Sequence, residues 1–153
     1  MEIVIRLPQP QDYDRFSSIV DQVQQLHVDL RPDVYRPVHP LISKEMFQEI
    51  LKSDSWYVAV ADGLVVGVLE IMHRHVENPS HVTKDILFVS SLAVAPEYRG
   101  KGIGHQLLEK VKQLKEEHGY DSIELQVNAK NQKAYEMYKH YGFTEKSINL
   151  ELK

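Results

Sequence analysis

Val94-Ala95-Pro96-Glu97-Tyr98-Arg99-Gly100-Lys101-Gly102-Ile103-Gly104 is the stretch on which the reading of this chain turns. On its N-terminal side, Asp85 to Val94 is an apolar run with the look of a buried strand. On its C-terminal side, Ile103, Leu107, Leu108, Val111 and Leu114 recur at helical spacing up to Gly119. The unit is therefore strand, glycine-rich turn, helix. Gly100, Gly102 and Gly104 let the backbone approach a ligand closely. Their N–H groups, gathered at the start of a helix, form a concave site for an anion, aided by the helix dipole. Arg99 and Lys101 add positive charge in a chain whose net charge is −4. A diphosphate is what that local reversal of sign suits. No Gly-Lys-Ser/Thr is present, so the loop is not a P-loop, and its glycines do not match G-x-G-x-x-G.

Outward from the loop, the pattern alternates between periods of two and 3.6. Ile3 to Leu7 reads as a short strand, and a helix opens at Asp12 with Phe16, Ile19, Val20, Val23 and Leu26 on one face. Leu30 to Pro40 reads as a loop. Ser43 is the expected N-cap of a second helix containing Met46, Phe47, Ile50 and Leu51. Trp56 to Ala61 and Leu64 to Ile71 are strands joined by Asp62-Gly63, a strong hairpin signal. Asn78-Pro79-Ser80 reads as a break. Beyond Gly119, Ile123 to Val127 reads as a strand, Asn131 to Tyr141 as a short helix ended by Gly142, and Thr144 to Lys153 as a last strand. The order β α α β β β α β α β implies an α/β fold with a mixed sheet and helices on both faces, in a single domain over 1–153.

Composition narrows the function. The 153 residues are 42% hydrophobic and 26% charged, the range of an ordinary globular domain rather than a disordered chain. The acidic balance gives no footprint for nucleic acid. Without cysteine there is no disulfide, thiolate nucleophile or thiolate metal site. His73 and His75 share a strand face, but two ligands without a third do not make a zinc site, so no metal is expected. Met1 to Val20 carries Glu2, Asp12 and Asp14 and no long apolar core, and no apolar run reaches membrane-spanning length. The expectation is a cytoplasmic chain with no membrane partner.

Arg-x-x-Gly-x-Gly, as Arg99, Gly102 and Gly104, resembles the coenzyme A signature of the GNAT N-acetyltransferase superfamily, within a wider likeness over Leu92 to Gly104. A second pattern of that family follows, Asn131-x-x-Ala134-x-x-x-Tyr138-x-x-x-Gly142-Phe143. The resemblance is specific from about Asp85 to Phe143 and generic before it. It implies a GNAT-like fold and acetyl-CoA as cosubstrate. It also implies a homodimer, in which the strand expected at Thr144 to Lys153 pairs or packs across subunits. The pyrophosphate falls to Arg99, Gly100, Lys101, Gly102, Ile103 and Gly104. Leu92, Ala93 and Val94 run along the pantetheine arm, and a main-chain N–H near Leu92 polarises the thioester carbonyl. Asn131, Ala134 and Tyr138 share one helical face, with Asn131 toward the arm and Tyr138 toward the departing sulfur. Tyr135 and Tyr141 fall on other faces.

Chemistry adds a demand that the motif does not meet. An alkylamine has a pKa of ~10.4, so near pH 7 it is protonated and inert until a base takes the proton. Some members of the family carry an acidic residue on the fourth strand; here the corresponding positions are Ser90 and Ser91. Glu70, on the preceding strand, is the first alternative, with Glu124, His73 or a water chain behind it. Asp29, Asp33 and Tyr35 fall where the resemblance puts the acceptor wall and suit a cationic amine. The expected reaction is transfer of acetyl from acetyl-CoA to a primary amine, of a small molecule first. A protein N-terminus or lysine is the alternative acceptor, and a non-catalytic acyl-CoA-binding module the alternative function.

Overall fold

The structure, a computed structural model describing residues 1–153, is built on a five-stranded mixed sheet. Its elements are β1 (Ile3–Arg6), α1 (Tyr13–Leu30), α2 (Lys44–Lys52), β2 (Trp56–Ala61), β3 (Leu64–Asn78), β4 (His81–Val94), α3 (Ile103–His118), β5 (Ser122–Leu125) and α4 (Gln132–Tyr141). Strand order equals chain order. β1 to β4 form an antiparallel meander, and β5 joins β4 in parallel through the α3 crossover.

Local chemistry accounts for the boundaries. Ser43 caps α2, its hydroxyl accepting from the Met46 N–H at 3.1 Å. Asp62 and Gly63 both take positive φ (51° and 79°), the type I′ geometry whose twist suits a tight hairpin. Gly119 stops α3 in the left-handed conformation at φ 71°. Alternation in the strands then sorts side chains to two faces. On one, Phe16 and Ile19 of α1 and Phe47 of α2 pack on Trp56, Val58 and Val68, with Phe16 edge-on to both Phe47 and Trp56. On the other, Ile103, Leu107 and Val111 of α3 pack on Val66, Leu69 and Leu87. Gly67 is needed here: a Cβ would meet the Ala93 carbonyl at 3.2 Å and the Leu107 side chain at 3.3 Å.

Two expectations need correction. The strand read as ending at Ile71 continues to Asn78, and the next begins at His81, so Asn78-Pro79-Ser80 belongs to a hairpin turn. The extension, Met72 to Asn78, is almost wholly exposed on both faces, so it carries no apolar alternation to read. The larger correction is the last strand. Thr144 to Lys153 forms none: it makes no backbone hydrogen bond, and all ten residues are exposed. Its alternation is strand-like, but a strand also needs a neighbouring edge, and the segment meets its own chain only through side chains.

Candidate active site

The β4–β5 ladder is short. It pairs Ile86–Val89 with Ser122–Leu125, and there β5 ends while β4 runs on to Val94. Ser90 to Val94 therefore keep one open edge, and Leu92, Ala93 and Val94 all lie along it. The departure coincides with a bulge. Glu70 pairs with Ser91 and Ile71 with Val89, so Ser90 has no opposite residue and bends the strand.

At the end of that edge the chain turns through Pro96–Tyr98 into α3. Gly100 and Gly102 take positive φ (76° and 80°), which an L side chain adopts only with strain. No side chain caps α3, whose N-cap is Gly102 itself. The first N–H groups of the helix thus point outward without an internal acceptor, beside the exposed Arg99 and Lys101. Arg99 is tethered, its Nε donating to the Val94 carbonyl at 3.1 Å. Gly104 has a different role: a Cβ there would meet Met137 Sδ at 3.3 Å, so this glycine sets the close approach of α3 and α4.

Asn131 is the N-cap of α4, its Oδ1 accepting from the Ala134 N–H at 3.3 Å, which leaves its amide NH₂ uncommitted. The three tyrosines of α4 separate by partner. Tyr135 donates to Glu145 at 3.1 Å and Tyr141 to Glu109 at 2.6 Å. Burial and the Glu109 carboxylate push Tyr141 up to about 12. Tyr138 packs edge-on against Phe143, and its hydroxyl makes no hydrogen bond within the chain. No buried side-chain polar atom is left unpaired, so that hydroxyl reaches the surface. Desolvation raises its pKa, which keeps the proton on at neutral pH.

The candidate bases also separate. Glu70 lies opposite Trp56 and Ser91, on the α1 face of the sheet next to the bulge. Desolvation raises its pKa, opposed by a long 3.5 Å contact from the Ser91 hydroxyl. Glu124 is held by Lys146 at 2.6 Å. His73 lies on the other face, edge-on to Tyr120 and 2.7 Å from Asp85, which also meets His75 at 2.8 Å. Of the expected acceptor wall, Asp33 is already neutralised by Arg31 and Lys153, Asp29 accepts from Gln25, and Tyr35 stacks on His27. Sequence reasoning missed a cleft of about 430 Å³ between α3 and α4, lined by His105, Leu108, Glu136, Met137, His140 and Tyr141. The recurrence of the last four at helical spacing is the signal that was available.

The GNAT acetyltransferase family model matches residues 20–143. An uncharacterized N-acetyltransferase of Methanocaldococcus jannaschii is 30% identical over 95 residues, 62% of this chain but only 41% of that protein. An N-alpha-acetyltransferase of Sulfurisphaera tokodaii is 32% identical over 137 residues, covering 84% of this chain and 77% of that one. Among solved structures, a mutant of a Bacillus halodurans protein superposes with a TM-score of 0.92 at 26% identity, covering 98% of each chain. An aminoglycoside N-acetyltransferase in complex with a bisubstrate analogue of CoA has a TM-score of 0.76 at 19% identity, over 100% of this chain and 98% of that one, a likeness of fold.

Proposed function

The chain belongs to the GNAT acetyltransferase family, and from that premise we propose that it transfers acetyl from acetyl-CoA to the primary amine of a small molecule, by direct attack in a ternary complex. One observation carries the reading: the open β4 edge at Ser90–Val94 leads straight into an uncapped helix start flanked by two cations. A long ligand with a diphosphate at one end and hydrogen-bonding amides along its arm fits that sequence of groups. Arg99, Gly100, Lys101, Gly102, Ile103 and Gly104 hold the diphosphate, while Leu92, Ala93, Val94, Asn131 and Ala134 border the arm.

Acetyl-CoA supplies the acetyl group as a thioester. Glu70 removes a proton from the acceptor ammonium, freeing the lone pair that attacks the thioester carbonyl. A β4 main-chain N–H near Leu92 stabilises the negative charge that develops on oxygen. As the carbon–sulfur bond breaks, Tyr138 gives its proton to sulfur, and the second proton of the attacking nitrogen leaves to solvent, from which the phenolate is reprotonated. Glu70 fits its task because a carboxylate of raised pKa is a stronger base than an exposed one. We place the reaction in a homodimer in the cytoplasm; no helix is long and apolar enough to cross a membrane.

A protein N-terminus is the second acceptor class, favoured by the likeness to the S. tokodaii N-alpha-acetyltransferase. One experiment tests the function and chooses between the two. Small amines and peptides are presented with acetyl-CoA, and release of free thiol is followed. Turnover with small amines and not with peptides is expected. The reverse favours the second reading, and turnover with neither overturns both.

A further inference from the structure

Arg74 is a cation without an anion. It is exposed, stands on β3 four residues beyond Glu70, and makes no hydrogen bond or ion pair within the chain. Arg6, Arg15 and Arg31 each meet a carboxylate. The Arg74 guanidinium is nevertheless held in place: its Cζ lies 3.5 Å over the ring of Phe88, which is only 8% exposed. At that distance the group lies flat on the ring, since an edge-on approach would drive a nitrogen into it. Stacking therefore uses the face of the guanidinium and leaves the N–H donors around its rim unspent. Glu124, the carboxylate opposite Phe88 on β5, does not take them, because Lys146 holds it at 2.6 Å.

Register brings this free guanidinium near the proposed base. Glu70, Met72 and Arg74 alternate onto the α1 face of the sheet, and the extra residue of the bulge, Ser90, is on β4, so that alternation is undisturbed. Arg74 reaches back along the strand to Phe88, and Phe88 stands opposite Met72. Met72 is two residues from Glu70, about 7 Å at the rise of a strand. A carboxylate suited to taking a proton and a guanidinium free to donate thus share one sheet face, separated by the length of a short aliphatic chain.

We infer that Arg74 binds a carboxylate of the acceptor, and that the acceptor is an ω-amino acid: a primary amine joined to a carboxylate through a short aliphatic chain. The inference rests on the proposed acetyl transfer with Glu70 as base, and it names the substrate class of that site. With the amine at Glu70, beside the open edge of β4, the carboxylate falls over Phe88, where the guanidinium fork can bind both of its oxygens. Met72, 47% exposed between the two, meets the methylenes. The transfer itself is unchanged: the nitrogen–carbon bond forms, the carbon–sulfur bond breaks, and the acceptor carboxylate stays ionised throughout. An amino acid reacting at its α-nitrogen does not fit, because one carbon cannot span the gap. A lysine inside a protein does not fit either, since an amide stands where the carboxylate should be.

The test compares ω-aminohexanoate with its amide, two acceptors of equal length that carry the same amine and differ in one charge. With the wild-type protein and acetyl-CoA, kcat/KM for the acid should exceed that for the amide at least ~10-fold, the scale of a hydrogen bond to a charged group. Arg74→Gln should bring this ratio close to one, chiefly by raising KM for the acid. Arg74→Lys keeps the charge and loses the fork, so its ratio should be intermediate. Arg74 is exposed, so both variants should fold, which circular dichroism checks. A wild-type ratio near one overturns the inference alone, as does turnover of other small amines but of neither of these two. A high ratio that survives in Arg74→Gln also overturns it and leaves Arg74 as a cover for Phe88. If no amine or peptide is turned over at all, the proposed acetyl transfer fails and this inference fails with it.

Discussion

At the scale of single residues, the proposed reaction assigns two proton transfers to side chains, and each has one candidate whose surroundings suit it. Tyr138 keeps its proton because burial disfavours the phenolate. Tyr138→Phe preserves the ring against Phe143 and deletes only the donor. Turnover should fall toward the lower end of the ~10²–10⁴-fold range of general acids, since a thiolate leaves with little help. The KM for acetyl-CoA should hardly change; steady-state kinetics with chemistry rate-limiting reads both, and a fall under about threefold, far below that range, makes Tyr138 a packing residue. Glu70 is the reverse case. Its folded pKa is raised, so the native state holds its proton more tightly than the unfolded chain does. Stability therefore declines as pH rises through its titration, while the proposed base role needs the ionised form, so that activity should rise. Glu70→Gln should abolish the acidic limb of the kcat/KM–pH profile without lowering the melting temperature at neutral pH. An unaltered profile would hand the base role to water.

Elements carry the binding of the cosubstrate, and here legibility divides along physical lines. The strand, loop and helix from Asp85 to Gly119 can be read because each glycine and apolar position answers to local geometry. Gly100 and Gly102 need positive φ, and Leu107, Leu108 and Val111 need one buried face. The β3–β4 extension is not legible, because charged residues on both faces of an exposed ribbon leave no alternation. Thr144 to Lys153 misleads for the opposite reason: its alternation is present, and what it lacks is a pairing edge in its own chain. Nor does sequence show that Asp33 and Glu124 are spent on cations, since Lys153 and Lys146 lie far from them in the chain. The loop invites a test free of backbone strain, which any substitution of Gly102 would introduce. Arg99→Glu with Lys101→Glu alters two exposed side chains and no glycine. Calorimetry should show coenzyme A affinity reduced by on the order of 100-fold, and an affinity within a few-fold of wild type would remove the diphosphate from this loop.

For the whole molecule, the sheet is a shared wall. The α1–α2 core lies on one side and the α3 core on the other, and both press on β2, β3 and β4. Neither half can lose its packing without exposing the other, so unfolding should be one cooperative transition. The proposed cosubstrate site joins the open edge of β4 to the start of α3, two elements on which the second core depends. Acetyl-CoA binding should thus stabilise the entire chain rather than a loop. At ~100 times its Kd, a ligand that binds only the folded state adds about 2.7 kcal/mol. Domains of this size gain about 2–4 °C per kcal/mol, so the melting temperature should rise by about 5–11 °C. Protein concentration has to be held constant, because the melting temperature of any self-associating chain depends on it. Arg99→Glu with Lys101→Glu should melt with the wild type in the absence of ligand, since neither side chain contributes to a core, and should show almost no rise with it. If acetyl-CoA raises both proteins equally, the cosubstrate is held elsewhere; if it raises neither at millimolar concentration, the chain does not bind it.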